Sequence, residues 1–231
     1  MKLTTLNLQG FEHWNDRQEH IVQYLHDEQP DVVLFQEVVY LPEISPYTQV
    51  QLLNQSLHYP YCQSDVSRLQ RGIDYPVYRE GLAAISKHPI VTAETVVLQQ
   101  DPTDEHNRII TLLDLFTNGQ VIKLANVHFS LTDDVDFATA HLAETLAIIT
   151  ARGERRIIAG DFNMSDLDAT KPLWSDFYTA STATEYVTFP SMDNKRIDYV
   201  LLPKEFEFDS IKTSSDGLSD HRALTASIVL K

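Results

Sequence analysis

The sequence predicts an α+β fold in which two sheets share a core and helices cover the outside. Three observations lead there. Short apolar, strand-like runs recur along the chain, and Asn118-Gly119 joins two of them, the strongest short hairpin signal a sequence offers. The helical stretches are few, so the order is mixed strands and hairpins rather than a regular βαβ alternation. No repeat and no Pro/Ser/Gly-rich linker divides the 231 residues, so a single domain is expected.

Each element has its own justification. Residues 2–9 alternate, with Leu6 and Leu8 on one face and Thr5, Asn7 and Gln9 on the other. Residues 16–28 read as a helix, with Asp16 and Glu19 as a capping pair and Ile21, Tyr24 and Leu25 as its apolar stripe. "DVVLFQEV" (31–38) is a nearly continuous apolar strand. Ser45-Pro46 starts a helix with apolar residues at 50, 53 and 57. Strands are expected at 82–86, 93–99, 108–116 and 120–128, the last two forming the hairpin. Residues 134–150 are helical, with Phe137, Leu142, Leu146 and Ile149 near one face. Strands at 156–160, 196–202 and 222–230 complete the chain.

Composition narrows the function classes. Hydrophobic residues make up 43% and charged residues 22%, values ordinary for a soluble globular protein. Eighteen Lys plus Arg against 33 Asp plus Glu gives a net charge of −15, which opposes non-specific attraction to nucleic acid or an anionic membrane. No apolar run approaches the roughly 20 residues of a membrane span. The start, "MKLTTLNLQG", lacks the apolar centre of a signal peptide, so a cytoplasmic location is the default, without a stable membrane anchor. Cys62, the only cysteine, excludes an internal disulfide framework and a cysteine-rich metal cluster, and reads as a small packed hydrophobe.

The chemistry lies where strands stop. The first strand reaches Asn7. The second reaches Gln36-Glu37, with Val33, Phe35 and Glu37 on one face by period two. The hairpin's return strand ends at Asn126-Val127-His128. In "RRIIAGDFNM" (155–164), Asp161 and Asn163 point the same way if the chain stays extended. "RIDYV" (196–200) carries Asp198, and "GLSDHRAL" (217–224) carries Asp220 and His221. Each has a bland alternative: a turn residue for Asn and Asp, a solvated strand end for Glu37, an edge-strand surface residue for Asp198. Six at strand ends point together. The Asn/Glu/Asp set supplies hard oxygen ligands suited to Mg²⁺ or Mn²⁺ rather than Zn²⁺.

In this order "LNLQG", "LFQEV", "GLAAISKHPI", "NVHFS", "AGDFN", "RIDYV" and "SDHRAL" resemble the endonuclease/exonuclease/phosphatase superfamily of metal-dependent phosphoesterases. "GDFN" followed about sixty residues later by "SDH" is the specific part. The resemblance implies a four-layer α/β/β/α sandwich of two mixed sheets. It implies Glu37 as the main ligand of Mg²⁺ (or Mn²⁺), helped by Asn7 and Asp220. Asp161 and Asn163 would position the attacking water and the phosphoryl oxygens. His221, oriented by Asp198, would act as general base or as donor to the phosphate. His128 would contact phosphate, supported by Glu80, and Arg108 would be a phosphate-binding arginine or else a surface cation on its strand. Gln9 departs from several members, and Asp133, Asp134 and Asp136 read as helix-start residues. A dinuclear calcineurin-type enzyme would need D-x-H and G-N-H-D/E motifs, and the chain has neither. A non-catalytic scaffold would be expected to have lost one of Glu37, Asp161, Asn163, Asp220 or His221, and all five are present. A monomer is expected. The expected substrate is a small or head-group phosphoester rather than long duplex DNA, because no basic stripe follows successive phosphates. Arg68, Arg71, Arg79 and Lys87, around Asp74 and Glu80, form either a pocket rim or a solvated loop.

Overall fold

The computed structural model describes residues 1–71, 77–100, 104, 106–131, 135–191 and 193–231, with backbone alone at 70, 71, 135 and 136. Asp74, Asp133 and Asp134 lie outside the described residues. The strands are β1 (Lys2–Asn7), β2 (Val32–Tyr40), β3 (Tyr61–Arg71), β4 (Val77–Ser86), β5 (Ile90–Val97), β6 (Ile109–Thr117), β7 (Gln120–His128), β8 (Ile157–Asp161), β9 (Tyr178–Ala180), β10 (Asp198–Pro203), β11 (Phe206–Thr213) and β12 (Leu224–Leu230). The helices are α1 (Trp14–Glu28), α2 (Gln49–Leu57), α3 (Val135–Ala151) and the one-turn α4 (Lys171–Trp174). They build two mixed six-stranded sheets, ordered β11-β12-β1-β2-β4-β3 and β5-β6-β7-β8-β10-β9. None of the described helices is long and apolar enough to cross a membrane.

Alternation explains the layers. Leu3 of β1 joins Leu34, Leu113, Leu124, Ile157, Val200 and Leu224 in the core between the sheets. Leu6 and Leu8 face the other way, with Val33, Phe35 and Ile85, against Ile21 and Leu25 of α1 and Val50 and Leu53 of α2. Leu142, Leu146 and Ile149 of α3 cover the second sheet at Ile110, Leu112 and Ile158. Each fully buried Leu or Ile contributes about 1.5–3 kcal/mol by leaving water. Elsewhere polar side chains span the space between the sheets. Gln36 Nε2 donates to Asn126 Oδ1 at 2.8 Å, and Asn126 Nδ2 donates to the carbonyls of Phe35 (3.1 Å) and Ala83 (3.0 Å). Satisfied buried amides of this kind fix one register between the layers.

Several local expectations change. Helix α1 begins two residues before Asp16; its N-cap, His13, is left-handed and makes no side-chain cap bond, so Asp16 and Glu19 are not a capping pair. Helix α2 starts at Gln49, after Pro46, because Thr48 and Gln51 form a full capping box. β3, β9, β11 and the first half of β4 lack the apolar runs that mark a strand. β3 and β11 are edge strands, paired on one side only, and Phe206, Phe208 and Ile211 of β11 pack against the core between the sheets. Cys62 lies on β3 and is exposed rather than packed.

Candidate active site

Strand register gathers the site. Asn7 stands beside Gln36 in the parallel β1/β2 pair. His128 stands beside Asp161 in the parallel β7/β8 pair, and Asp161 stands opposite Asp198 in the antiparallel β8/β10 pair. Parallel strands finish at the same end, so Asn7, the tail of β2, His128 and Asp161 converge where the two sheets face each other.

Two details depart from simple alternation. By period two Glu37 would follow Val33 and Phe35 toward the helices. Instead the β2/β4 register slips between Phe35 and Val38, and Glu37 adopts φ 52°. This bulge turns the carboxylate to the opposite face, where Glu37 Oε1 accepts from Asn7 Nδ2 at 3.4 Å. Asn163 likewise leaves the extended conformation, at φ 51°. Its backbone N–H donates to Asp161 Oδ1 at 2.9 Å, and its side-chain amide donates to the Phe129 carbonyl at 2.9 Å. Asp161 and Asn163 therefore meet through a tight turn rather than along an extended face. Gly160, just before Asp161, has φ 147°, and a Cβ there would lie 2.1 Å from the Val127 carbonyl oxygen. Only glycine permits this approach of β8 to β7.

The site holds more carboxylate than cation. Asp161 is buried, accepts from Asn7 Nδ2 at 2.9 Å, and lies 3.6 Å from His128 Nε2 and 3.9 Å from His221 Nε2. Burial and the neighbouring Asp198 push its carboxyl up to about 7, against the opposing pull of His221. His221 Nδ1 lies 2.8 Å from Asp198 Oδ2, and Phe189 packs on its ring with centroids 4.8 Å apart. Burial disfavours the imidazolium, but Asp198, aided by Asp161 and Asp220, overrides it and pushes His221 up to about 10. His128 behaves oppositely. Arg108 Nη1 donates to its Nε2 at 3.0 Å, and burial with the adjacent Arg108 charge holds His128 well below its ordinary 6.5. Its Nε2 is thus an acceptor and its ring neutral.

Arg108 is buried, not a surface cation: Asp104 Oδ2 accepts from its Nε at 2.8 Å and also from Ser130 Oγ at 2.6 Å. Glu80 pairs with Arg68 rather than supporting His128; burial and the nearby Glu37 push its carboxyl up to about 7. Asp198 is likewise buried, on the strand between β8 and β9, and its Oδ1 has no hydrogen-bond partner among the described residues. Asp220 reaches the site through Gln9, whose Oε1 accepts the Asp220 N–H at 3.1 Å while its own N–H donates to Asn7 Oδ1 at 2.9 Å.

Gln9, Asp104 and Arg17 acquire places here that the sequence did not assign. Arg17 lies in the field of Asp220 and Glu37 and donates to the Leu218 carbonyl at 2.9 Å. Its signal was available: it sits four residues before Ile21 and eight before Leu25, on the buried stripe of α1. Asp104, in a loop four residues before Arg108, carried none. The described members of the basic cluster are dispersed. Arg79 lies over the Tyr40 ring, Lys87 donates to the Gln29 carbonyl at the opposite end of β4, and Arg71 lies outside the described side chains.

The donor set fits a divalent cation. Glu37 and Asp161 both accept from the Asn7 amide, Asp198 keeps a buried oxygen unpartnered among the described residues, and Asp161, Asp198 and His221 offer ligand atoms within 4.8 Å of one another. Oxygen donors predominate and no thiolate is present, the pattern of a hard ion.

The Endonuclease/Exonuclease/phosphatase family profile matches residues 4–221. The chain belongs to that family. Solved family structures show the same architecture. An endonuclease/exonuclease/phosphatase family protein from Leptotrichia buccalis C-1013-b superposes with a TM-score of 0.81 at 21% identity, covering 100% of both chains. A mannosyl-6-phosphatase from Bacteroides thetaiotaomicron VPI-5482 gives 0.73 at 16% identity, with 100% of both chains covered. Sphingomyelinase C from Streptomyces griseocarneus gives 0.69 at 20% identity, with 98% of each chain covered. No curated protein shows a significant sequence match to this family member. At such identities the likeness is one of fold, and the family's hydrolases act on phosphoesters.

Proposed function

We propose that this chain is a divalent-cation-dependent phosphoric ester hydrolase acting on a small or head-group phosphoester. The observation that carries the reading is the convergence of Glu37 and Asp161 on Asn7, beside the Asp198–His221 pair, at the end where both sheets present polar residues. Glu37, Asn7 and Asp220 are the residues to hold Mg²⁺, with Mn²⁺ as a substitute. When bound there, the ion supplies charge neutralisation to the phosphoryl oxygens.

The chain's own residues do the rest. Asp161 is the group placed to accept the proton of the attacking water, its carboxyl held near the pH of the medium. Asn163, braced against Phe129, fixes the loop that carries Asp161. His221, kept as the imidazolium and oriented by Asp198, presents Nε2–H to a phosphoryl oxygen. Arg108, anchored on Asp104, brings the fixed positive charge on the His128 side. Water adds to phosphorus opposite the ester oxygen, and the ester bond breaks in line.

A small substrate is favoured because positive charge near the site is scarce. Arg68 is spent on Glu80, Arg108 is a single charge on the His128 side, and the net charge is −15. A panel of phosphomonoesters, phosphodiesters, phospholipid head groups and plasmid DNA, run with Mg²⁺ and with Mn²⁺ beside Asp161→Asn, tests the reading. Turnover of a small ester that needs both metal and Asp161 is expected. Efficient plasmid cleavage with poor turnover of every small ester would make it a nuclease, and metal-dependent turnover of nothing would leave a binding scaffold.

A further inference from the structure

Three consecutive residues at the end of β7 take up different tasks. His128 lies in the site beside Asp161. Phe129 ties down the Asp161–Asn163 turn, its N–H donating to the Asp161 carbonyl at 3.0 Å and its own carbonyl accepting from Asn163. Ser130 has a place in neither. It is fully buried, yet bonded through both backbone and side chain. Its N–H donates to His141 Nδ1 at 3.2 Å, and its Oγ donates to Asp104 Oδ2 at 2.6 Å.

These bonds join α3 to the segment that delivers Arg108. His141 is a buried residue of α3 whose Nε2 lies 2.8 Å from the Gln99 carbonyl. A carbonyl only accepts, so Nε2 carries the ring proton and Nδ1 is the acceptor for Ser130. Phe137 packs edge-on against the ring, with centroids 5.0 Å apart. Gln99 is held a second time, its N–H donating to Glu144 Oε2 of the same helix at 2.9 Å. Further along, Asp104 Oδ1 accepts the His106 N–H at 2.9 Å, while Oδ2 accepts from both Ser130 and Arg108. Burial works against the Asp104 charge, but the Ser130 hydroxyl and Arg108 hold its carboxyl below its ordinary 3.8.

The effect falls on Arg108. Asp104 takes its Nε–H and His128 takes one N–H of Nη1. Nη2 makes no hydrogen bond to a described residue and is the donor left for a phosphoryl oxygen. A long arginine side chain loses rotamer freedom when it is fixed, and holding it beforehand removes that cost from substrate binding. We propose that Asp104 and Ser130, with His141 bracing Ser130 from α3, are positioning residues that set the Arg108 guanidinium for the phosphoryl group. This inference rests on the phosphoesterase reading above. It gives Ser130 and His141 a part in the reaction although neither touches the carboxylate cluster.

Two measurements on the full chain test this. In NMR spectra the Arg108 Nε–H, buried against a carboxylate, should give a downfield resonance protected from exchange. Ser130→Ala and Asp104→Asn should each shift that resonance and abolish its protection, in proteins whose urea melts remain cooperative. Ser130→Ala leaves the Arg108–Asp104 pair in place and decides the matter if Asp104→Asn does not fold. In turnover, Ser130→Ala should lower kcat/KM for a small phosphoester about tenfold, the lower range for a residue that orients a side chain of the site. In an Arg108→Ala background the same change should cost less than about twofold, because two residues acting through one interaction do not add. An unmoved Arg108 resonance or wild-type kcat/KM in Ser130→Ala, or an equal loss in both backgrounds, would overturn the positioning role. A resonance that responds in a protein that turns over no phosphoester would instead overturn the phosphoesterase reading and leave the anchor of Arg108.

Discussion

Strand β8 has a charge cluster at each end, and the two are built on opposite plans. Arg156, just before the strand, donates to Asp114 Oδ1 at 2.7 Å, to Glu154 Oε2 at 2.9 Å and to the carbonyls of Leu113 and Leu124. Lys123 completes that group by pairing with Glu154. Burial works against the Glu154 charge, but Lys123 and Arg156 hold its carboxyl below the usual range. Five residues on, roughly 16 Å at strand rise, Asp161 meets Asp198 and Glu37 with too few cations, and its carboxyl rises to about 7. A cavity of ≈700 Å³, lined by Lys123, Glu154, Arg155 and Phe177, lies at the satisfied end. A cluster whose charges are matched holds the fold together, and a cluster left short of positive charge is waiting for a ligand.

That contrast can be broken by substitution. Asp161→Asn should lower turnover by at least about 10³-fold, the upper range for a positioned acid–base group, without loss of fold. Its effect on metal-free stability has a definite sign. A carboxyl raised from its ordinary 3.8 to about 7 binds its proton more tightly folded than unfolded. Wild-type stability therefore falls as pH rises through that window and levels above it. Asp161→Asn removes this fall, so urea melts should show the variant's relative stability growing between about pH 4 and 7. Arg156→Met should do the reverse. Removing one partner of a buried ion cluster costs about 3–5 kcal/mol, and kcat/KM of the protein that remains folded should be near wild type.

His221→Ala should cost at least about 10²-fold in turnover, and Asp198→Asn should impair the same step by less. Near-normal rates in a folded His221→Ala protein would remove that side chain from the chemistry. The smallest effect concerns pH. Cation binding at the deficient end must displace the Asp161 proton, so affinity should fall up to tenfold per pH unit below about 7 and flatten above it. Calorimetry in buffers of different ionisation enthalpy should register the released proton.

Much of this was legible in the sequence. The apolar runs of β2, β6, β7, β8 and β10 announced the layered core, and Asn7, His128, Asp161, Asp198 and His221 could be placed at strand ends. Period-two counting failed at Glu37 and Asn163, because both adopt left-handed backbone, and nothing in "FQEV" marks the bulge. The edge strand β3 was invisible for want of an apolar run, whereas β11 was readable from the alternation of Phe206 and Phe208, which pack on the core between the sheets, and was overlooked. The partners of Arg108 and Glu80 were misassigned or missed, since pairing across β3, β4 and the loop before β6 is tertiary information. Arg17 was readable from its helix face and was overlooked.

The central claim is that the charge-deficient end of β8 holds a divalent cation through oxygen ligands. A crystal soaked in Mn²⁺ and measured at the manganese absorption edge tests it directly. The account predicts an anomalous peak about 2.0–2.3 Å from a Glu37 oxygen, with Asn7 or Asp220 nearby. A peak coordinated only by histidines elsewhere, or only at the Glu154–Asp114 end, would contradict it.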